Sequence, residues 1–206
     1  MQRWRIEESG LLPVFLLVAY LFAFAVLGAA PYSREVWIAE DVPIVGVVGF
    51  LVILYVRGIR FSSMAYLLMS ALVFLHTIGG HYTFERVPFG WFNDFFGFER
   101  NMYDRLAHFT VGWYAFAMAE ILDRYALVRT RVLLFLFPVF AIATVAMGYE
   151  IIEWLFAAAS DTQAGVAFLG SQGDIWDAQK DMLLDTLGAV MATGWYFWLR
   201  LRRTAA

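Results

Sequence analysis

Aspartate and histidine recur at helical spacing next to apolar runs of this chain. Asp104 and His108 are four residues apart, and Asp177, Asp181 and Asp185 repeat that interval further along. Residues four apart lie on one face of a helix, so each set forms a polar stripe. A carboxylate inside a membrane helix is costly to bury, and it usually marks a functional site.

Imidazole and carboxylate groups from several helices of a bundle are a common way to build a metal site. This ligand type suits Zn, Mn or Fe better than Ca. We therefore expect a divalent metal ion, and the expected ligands are His81, Asp104, His108, Glu150, Asp181 and Asp185. A spare carboxylate, Glu153 or Asp177, would act as the general base that activates water.

The same acids also have a simpler interpretation. Without a metal they must be protonated or paired with Arg100, Arg105 or Lys180. Asp104 beside Arg105 and Asp181 beside Lys180 are then ordinary interfacial charges, which contribute little. Both interpretations stay open at this point.

Three other kinds of residue receive structural roles. His76 is interpreted as a hydrogen-bonding residue between helices, and Glu120 as a partner of Arg124 four residues later. Glycines with neighbouring alanines favour close helix packing. We expect this role for Gly112, Gly148 and Gly188.

The composition is that of an integral membrane protein. Of 206 residues, 62% are hydrophobic and 16% are charged, against about half and about a quarter in soluble domains. Mean hydropathy is +0.66. The absence of cysteine excludes disulfides, thiolate metal sites and a cysteine nucleophile. Phosphate-binding glycine loops, a G-x-S-x-G elbow and an H-E-x-x-H motif are also absent.

The apolar runs predict an all-α fold, with a single integral membrane domain over residues 1–206. Each run is close to the length that crosses a hydrocarbon core of about 30 Å. The six predicted spans are residues 11–29, 42–56, 61–78, 104–122, 132–156 and 177–199. Residues 31–41 are expected to form an interfacial loop. The aromatic connection 79–103, between the third and fourth spans, is expected to lie at the interface or fold back as a lid.

Charge distribution predicts the orientation of the bundle. Six spans place both termini on one side, which collects ten basic residues, while the other side has five. Basic residues favour the cytoplasmic side, so both termini are expected in the cytoplasm. The aspartate and histidine residues then lie towards the outer leaflet of the membrane.

Four segments carry a resemblance to a known family. GGHYTFERVPFG, RNMYDRLAHF, YEIIEW and GSQGDIWDAQKDMLLDTLGA resemble the YjdF-like bacterial inner-membrane proteins, a family of unknown function, over roughly residues 70–195. The resemblance implies a small polytopic inner-membrane protein. A weaker similarity links the chain to VanZ-like membrane proteins. Their pattern of polar residues is echoed by Asp104 and His108, Glu150, and Asp185 before Gly188.

Three functions are compatible with these observations. The first is a metal-dependent hydrolase or transferase that acts on a lipid or lipid-linked substrate. The second is an ion-coupled transporter with the carboxylates as a proton or cation relay, although Glu120 alone among the acids continues the path inwards. The third is a non-catalytic scaffold subunit. The lipid bilayer is the expected environment, a homo-oligomer or a membrane-protein partner stays open, and no nucleic-acid partner is expected.

Overall fold

The computed structural model describes residues 9–159 and 169–204, and in these residues the regular structure is helical. Residues 1–8, 160–168 and 205–206 lie outside them. The helices are α1 Leu12–Ala29, α2 Arg34–Val56, α3 Ser63–Tyr82, α4 Gly90–Phe96, α5 Tyr103–Val111, α6 Tyr114–Arg124, α7 Arg131–Ala159 and α8 Asp177–Thr204.

Four of the described helices are long and apolar enough to cross a membrane, namely α1, α2, α3 and α7. Large apolar side chains are exposed along their outer faces, including Phe15 and Phe22 on α1 and Phe140 on α7. Such a surface suits a lipid environment, where exposed apolar groups carry no penalty. The all-helical membrane fold expected from the composition is therefore confirmed.

The predicted fourth span, 104–122, is broken into α5 and α6. At the break, the amide of Trp113 donates to the carbonyl of Thr110 over 3.1 Å, and Ala115 donates to Gly112 over 3.0 Å. These are three-residue turns, which tighten a helix locally. The break places Gly112 against α8, and α5 and α6 both pack on that helix.

The expected loop at residues 31–41 is wrong, because α2 already begins at Arg34. The Ser33 hydroxyl caps this helix by accepting the amide of Val36 over 3.4 Å. Charged residues are tolerated in the next turns because they have partners. Glu40 contacts His76, and Asp41 accepts the Thr77 hydroxyl over 2.9 Å.

Helix α3 packs on α1, α2, α5 and α6, whereas α8 packs on α5, α6 and α7. Their shared core is apolar and includes Met69, Phe116 and Tyr196. At the end of the bundle opposite His76, the Glu120 carboxylate accepts the Ser62 amide over 2.8 Å and lies 3.4 Å from Arg124. The expected pairing of Glu120 with Arg124 is confirmed.

Two of the three glycines expected at close helix contacts lie at such a contact. A Cβ at Gly112 would overlap the backbone of α8, and a Cβ at Gly188 would overlap the Phe109 carbonyl of α5. A Cβ at Gly148 would meet nothing within 4 Å, so the expectation was wrong there. Because the α5–α8 contact needs two glycines, it fixes how closely the polar faces of these helices approach.

We expect Gly188→Ala to destabilise the protein by about 1–3 kcal/mol, since the added methyl group must push two backbones apart. Thermal unfolding in detergent measures the effect. Gly194→Ala on the same helix is the matched control, because a Cβ at Gly194 has open space. Equal melting temperatures for the two variants would contradict this packing role.

Candidate functional site

His108 on α5 is surrounded by three aspartates from two helices. Its Nε2 lies 3.6 Å from Asp104 Oδ1 and 3.9 Å from Asp181 Oδ1. Its Nδ1 lies 3.3 Å from Asp185 Oδ1. The spacing of four residues places Asp104 with His108 on α5, and Asp181 with Asp185 on α8, as the sequence predicts.

The first three of these residues have metal-site geometry. Asp104, His108 and Asp181 each offer one ligand atom, and all three atoms lie within 4.8 Å of one another. Asp185 has a different position, because it faces the other imidazole nitrogen. In metal sites a carboxylate on the second nitrogen of a histidine fixes the orientation of the ring. Asp185 is therefore placed as the partner of a ligand.

Burial makes this arrangement costly unless its charges are balanced. Asp185 is 1% exposed, Asp181 is 3% exposed and Asp104 is 8% exposed. Ionised carboxylates lose most of their hydration at such positions, so they need cations or protons nearby. Helix α5 supplies a buried cation, the guanidinium of Arg105, and this residue is 5% exposed.

Arg105 and Arg100 form ion pairs that link the N-terminal ends of α5 and α8. Arg105 bonds Asp181 and also Asp177, the latter over 2.5 Å. Arg100 bonds the same Asp177 over 2.5 Å and lies 3.4 Å from Asp104. Asp177 thus has two guanidinium partners. It does not line the pocket described below, and the structure does not bring it to the site as a free base.

Asp174, in the connection before α8, completes this ion-pair network. It lies 3.3 Å from Arg105 and 2.6 Å from the ammonium of Lys180. The hydrogen bond from Lys180 is the main cause that lowers the pKa of Asp174 below its usual value. Asp174 therefore contributes a fixed negative charge at neutral pH.

A pocket of about 190 Å³ opens beside the aspartates. Its lining includes Asp104, His108, Asp181 and Asp185 from α5 and α8. Four further polar residues line it from α2, α3 and α7, and they are Glu40, His76, Tyr149 and Glu153. Apolar residues complete the lining, with Ile44, Val47 and Val145 among them. The pocket thus combines polar groups from five helices with an apolar surface.

Sequence reasoning missed Glu40 and Tyr149. Glu40 fell in the expected loop, although its spacing from Val36 and Ile44 is already helical. It is 3% exposed and accepts the Tyr149 hydroxyl over 3.2 Å. Tyr149 carries no sequence signal, since a tyrosine on an apolar helix is usually a packing residue.

The other predicted residues are placed differently. Glu153 lines the pocket, is 9% exposed, and has no hydrogen-bond or ion-pair partner among the described residues. Glu150 does not line it; its buried Oε1 has no partner in the described part of the chain. His81 is not brought to the cluster, because its Nδ1 lies 2.7 Å from the Leu27 carbonyl and its ring packs on Trp37.

We expect Arg105→Met to destabilise the protein by about 3–5 kcal/mol, because Asp177 and Asp181 then lose a buried cation. Thermal unfolding in detergent is the measurement. Arg86→Met is the control, since Arg86 is half exposed, lies 3.4 Å from Glu85 and packs over the Tyr32 ring at 4.3 Å. An exposed ion pair of this kind contributes about 0–1 kcal/mol. An Arg105 variant as stable as the Arg86 variant would show that another cation compensates these acids.

Comparison with known proteins agrees with the resemblance seen in the sequence. The family model described as predicted membrane protein (DUF2238) matches residues 12–202. The inner membrane protein YjdF of Escherichia coli (strain K12) is 39% identical over 170 residues, which cover 79% of this chain and 78% of that protein. No solved structure matches the chain. The chain belongs to the YjdF-like DUF2238 family of membrane proteins.

Proposed function

We propose that this protein holds a divalent metal ion through Asp104, His108 and Asp181, and uses it as a hydrolase or transferase on a lipid or lipid-linked substrate. The observation that carries the proposal is the convergence of these three ligand atoms within 4.8 Å. Asp185, at the other imidazole nitrogen, supports it as the group that orients the ligand.

The charge balance of the site also favours a divalent cation. Among the described residues, five aspartates, including Asp174 and Asp177, meet three basic side chains, Arg100, Arg105 and Lys180. When His108 is a neutral metal ligand, two of the negative charges have no cation. A divalent ion balances both, and histidine with carboxylates suits Zn, Mn or Fe.

The pocket suits a molecule that has both polar and hydrocarbon parts. Apolar residues such as Ile44, Val47 and Val145 form part of its lining. A hydrocarbon chain is buried favourably along such a surface, whereas a polar headgroup needs the polar lining residues as partners. This mixed lining supports a lipid or lipid-linked substrate.

The residues of the chain take separate roles in this proposal. A bound divalent ion acts as a Lewis acid that polarises an oxygen of the substrate and favours the deprotonation of water. Glu153 lines the pocket and has no partner among the described residues, so its carboxylate is available to the polar part of the substrate. Asp177 is held by Arg100 and Arg105 and serves to fix the helices instead.

We further propose six spans, with α5 and α6 together as the fourth and α8 as the sixth. Helix α8 has 28 residues, enough to cross the membrane at a rise of 1.5 Å per residue. Both termini then lie in the cytoplasm, following the excess of basic residues on that side. The pocket opens in the outer half of the bundle, and the aromatic α4 lies beside the membrane surface.

The transporter interpretation has less support. A relay needs ionisable groups that continue from the pocket to the cytoplasmic face. Glu120, the acid available for this role, accepts the Ser62 amide and hydroxyl and lies 3.4 Å from Arg124. These contacts fix its carboxylate as part of the helix packing.

We expect purified protein to contain about one equivalent of a transition metal, and His108→Gln and Asp181→Asn to lower its affinity at least tenfold, because each removes a ligand. Elemental mass spectrometry after dialysis against defined metal buffers measures this. Asp94→Asn is the control, since Asp94 is an exposed acid of the outer connection.

The enzymatic part is tested on the same preparations. Wild-type protein incubated with total lipid extract of a bacterial inner membrane should change the lipid profile in untargeted mass spectrometry. Chelator should abolish the change and added metal should restore it. A folded, metal-free wild type, or conversion that continues in chelator, overturns the proposal.

The orientation can be tested because the chain has no cysteine. We expect Glu99→Cys to react with a membrane-impermeant maleimide in intact spheroplasts, because this exposed residue lies in the outer connection. Leu127→Cys, which replaces a 62% exposed residue between α6 and α7, should react only after permeabilisation. The reverse labelling pattern would place the termini outside.

A further inference from the structure

His76 and Glu40 form a second histidine–carboxylate pair, which lines the same pocket as the proposed metal ligands. The Nε2 atom of His76 lies 3.1 Å from Glu40 Oε2 and 3.2 Å from the Glu40 backbone oxygen. A carboxylate oxygen and a carbonyl oxygen are both acceptors. Two acceptors around one nitrogen require that this nitrogen carries a proton, so in the neutral ring the contacts select the Nε2–H tautomer.

This tautomer leaves the second ring nitrogen, Nδ1, as an acceptor. In the described part of the chain no residue forms a hydrogen bond with Nδ1, and His76 lines the pocket. The ring cannot turn freely, because Phe84 and Tyr149 pack edge-on against it at centroid distances of 5.1 Å and 6.3 Å. A fixed imidazole with one unoccupied lone pair is the arrangement of a proton acceptor.

Glu40 is itself held in place. Its Oε2 accepts the Tyr149 hydroxyl over 3.2 Å in addition to His76, and the residue is 3% exposed. A carboxylate with two donors can orient the imidazole and stabilise the imidazolium that forms after proton transfer. Among the described residues, the ionisable ones that line this pocket are Glu40, His76, Asp104, His108, Tyr149, Glu153, Asp181 and Asp185. His76 and His108 are the two imidazoles among them.

We propose that His76 accepts a proton in the pocket through Nδ1, and that Glu40 is the residue that positions it. The proposal rests on the proposed function, because it assigns the acid–base group for a substrate in the same pocket. His76 takes the proton of the attacking water or hydroxyl group as the oxygen of that group bonds to the electrophilic centre of the substrate, and the ring becomes an imidazolium balanced by Glu40. The bond from that centre to the leaving-group oxygen then breaks, and His76 returns the proton to this oxygen. Glu153 is left as a polar contact for the substrate headgroup.

The tautomer can be measured without knowing the substrate. We expect nitrogen-15 NMR of the wild-type protein in detergent to show a neutral His76 ring with the proton on Nε2. The chain has three histidines, so single His→Gln variants assign each signal. A proton on Nδ1 would overturn the inference, since the ring would then have no free acceptor.

Turnover provides the second measurement. His76→Gln should keep its metal content and lose conversion of the inner-membrane lipid extract by about 100-fold or more, the usual effect of removing a general base. Tyr149→Phe should have a smaller effect, because Glu40 keeps His76 as a donor. His81→Gln is the matched control, since the His81 ring contacts Leu27 and Trp37 outside the pocket.

The outcomes separate the two proposals. A His76→Gln variant with wild-type metal content and wild-type conversion overturns this inference alone. A wild type with neither metal nor conversion overturns the proposed function and removes the basis of the inference. Loss of both metal and conversion in His76→Gln would show a structural role for His76, and it would also overturn the inference.

Discussion

The contact between Gly112 and Gly188 is the constraint on which the site depends. At these positions the backbones of the α5–α6 break and α8 are so close that neither residue tolerates a Cβ. This approach brings His108 level with Asp185 about one helical turn from the contact, and Asp104 level with Asp181 about two turns from it. With a larger residue at either glycine, the helices would separate and the ligand atoms would move apart. Close packing of small residues thus sets the geometry of a charged site.

That geometry collects more negative charge than the nearby cations balance. Arg105 and Arg100 satisfy the outermost acids, and Asp177 has both as partners. His108 and Asp185 lie deeper, beyond the reach of the guanidinium groups in the contacts observed. If these residues served only to hold two helices together, apolar side chains at the same depth would give a more stable protein, because the attraction in a buried ion pair seldom exceeds its desolvation cost. We therefore propose that these acids serve to bind a ligand rather than to stabilise the fold.

The sequence predicts the residues around His108 more completely than it predicts where the helices begin and end. Asp104, His108, Asp181 and Asp185 follow from spacing alone, since four-residue intervals on apolar helices have one structural meaning. Interatomic distances are needed to separate the three proposed metal ligands from Asp185, which contacts the other nitrogen of His108. Glu40 was missed because charge near an apolar run was interpreted as a loop, whereas His76 and Tyr149 supply partners from distant helices. His81 was included because depth along a helix does not specify the face, and its face is towards Leu27 and Trp37.

In the two histidine–carboxylate pairs of the pocket, the carboxylate contacts different nitrogens of the imidazole ring. Asp185 contacts Nδ1 of His108 and leaves Nε2 facing two further aspartates. Glu40 contacts Nε2 of His76 and leaves Nδ1 without a partner in the described residues. An imidazole surrounded by carboxylates is suited to share a cation with them, while one with a single carboxylate behind it is suited to move a proton. The same pair of residue types, present twice in one pocket, can thus divide electrostatic stabilisation from proton transfer.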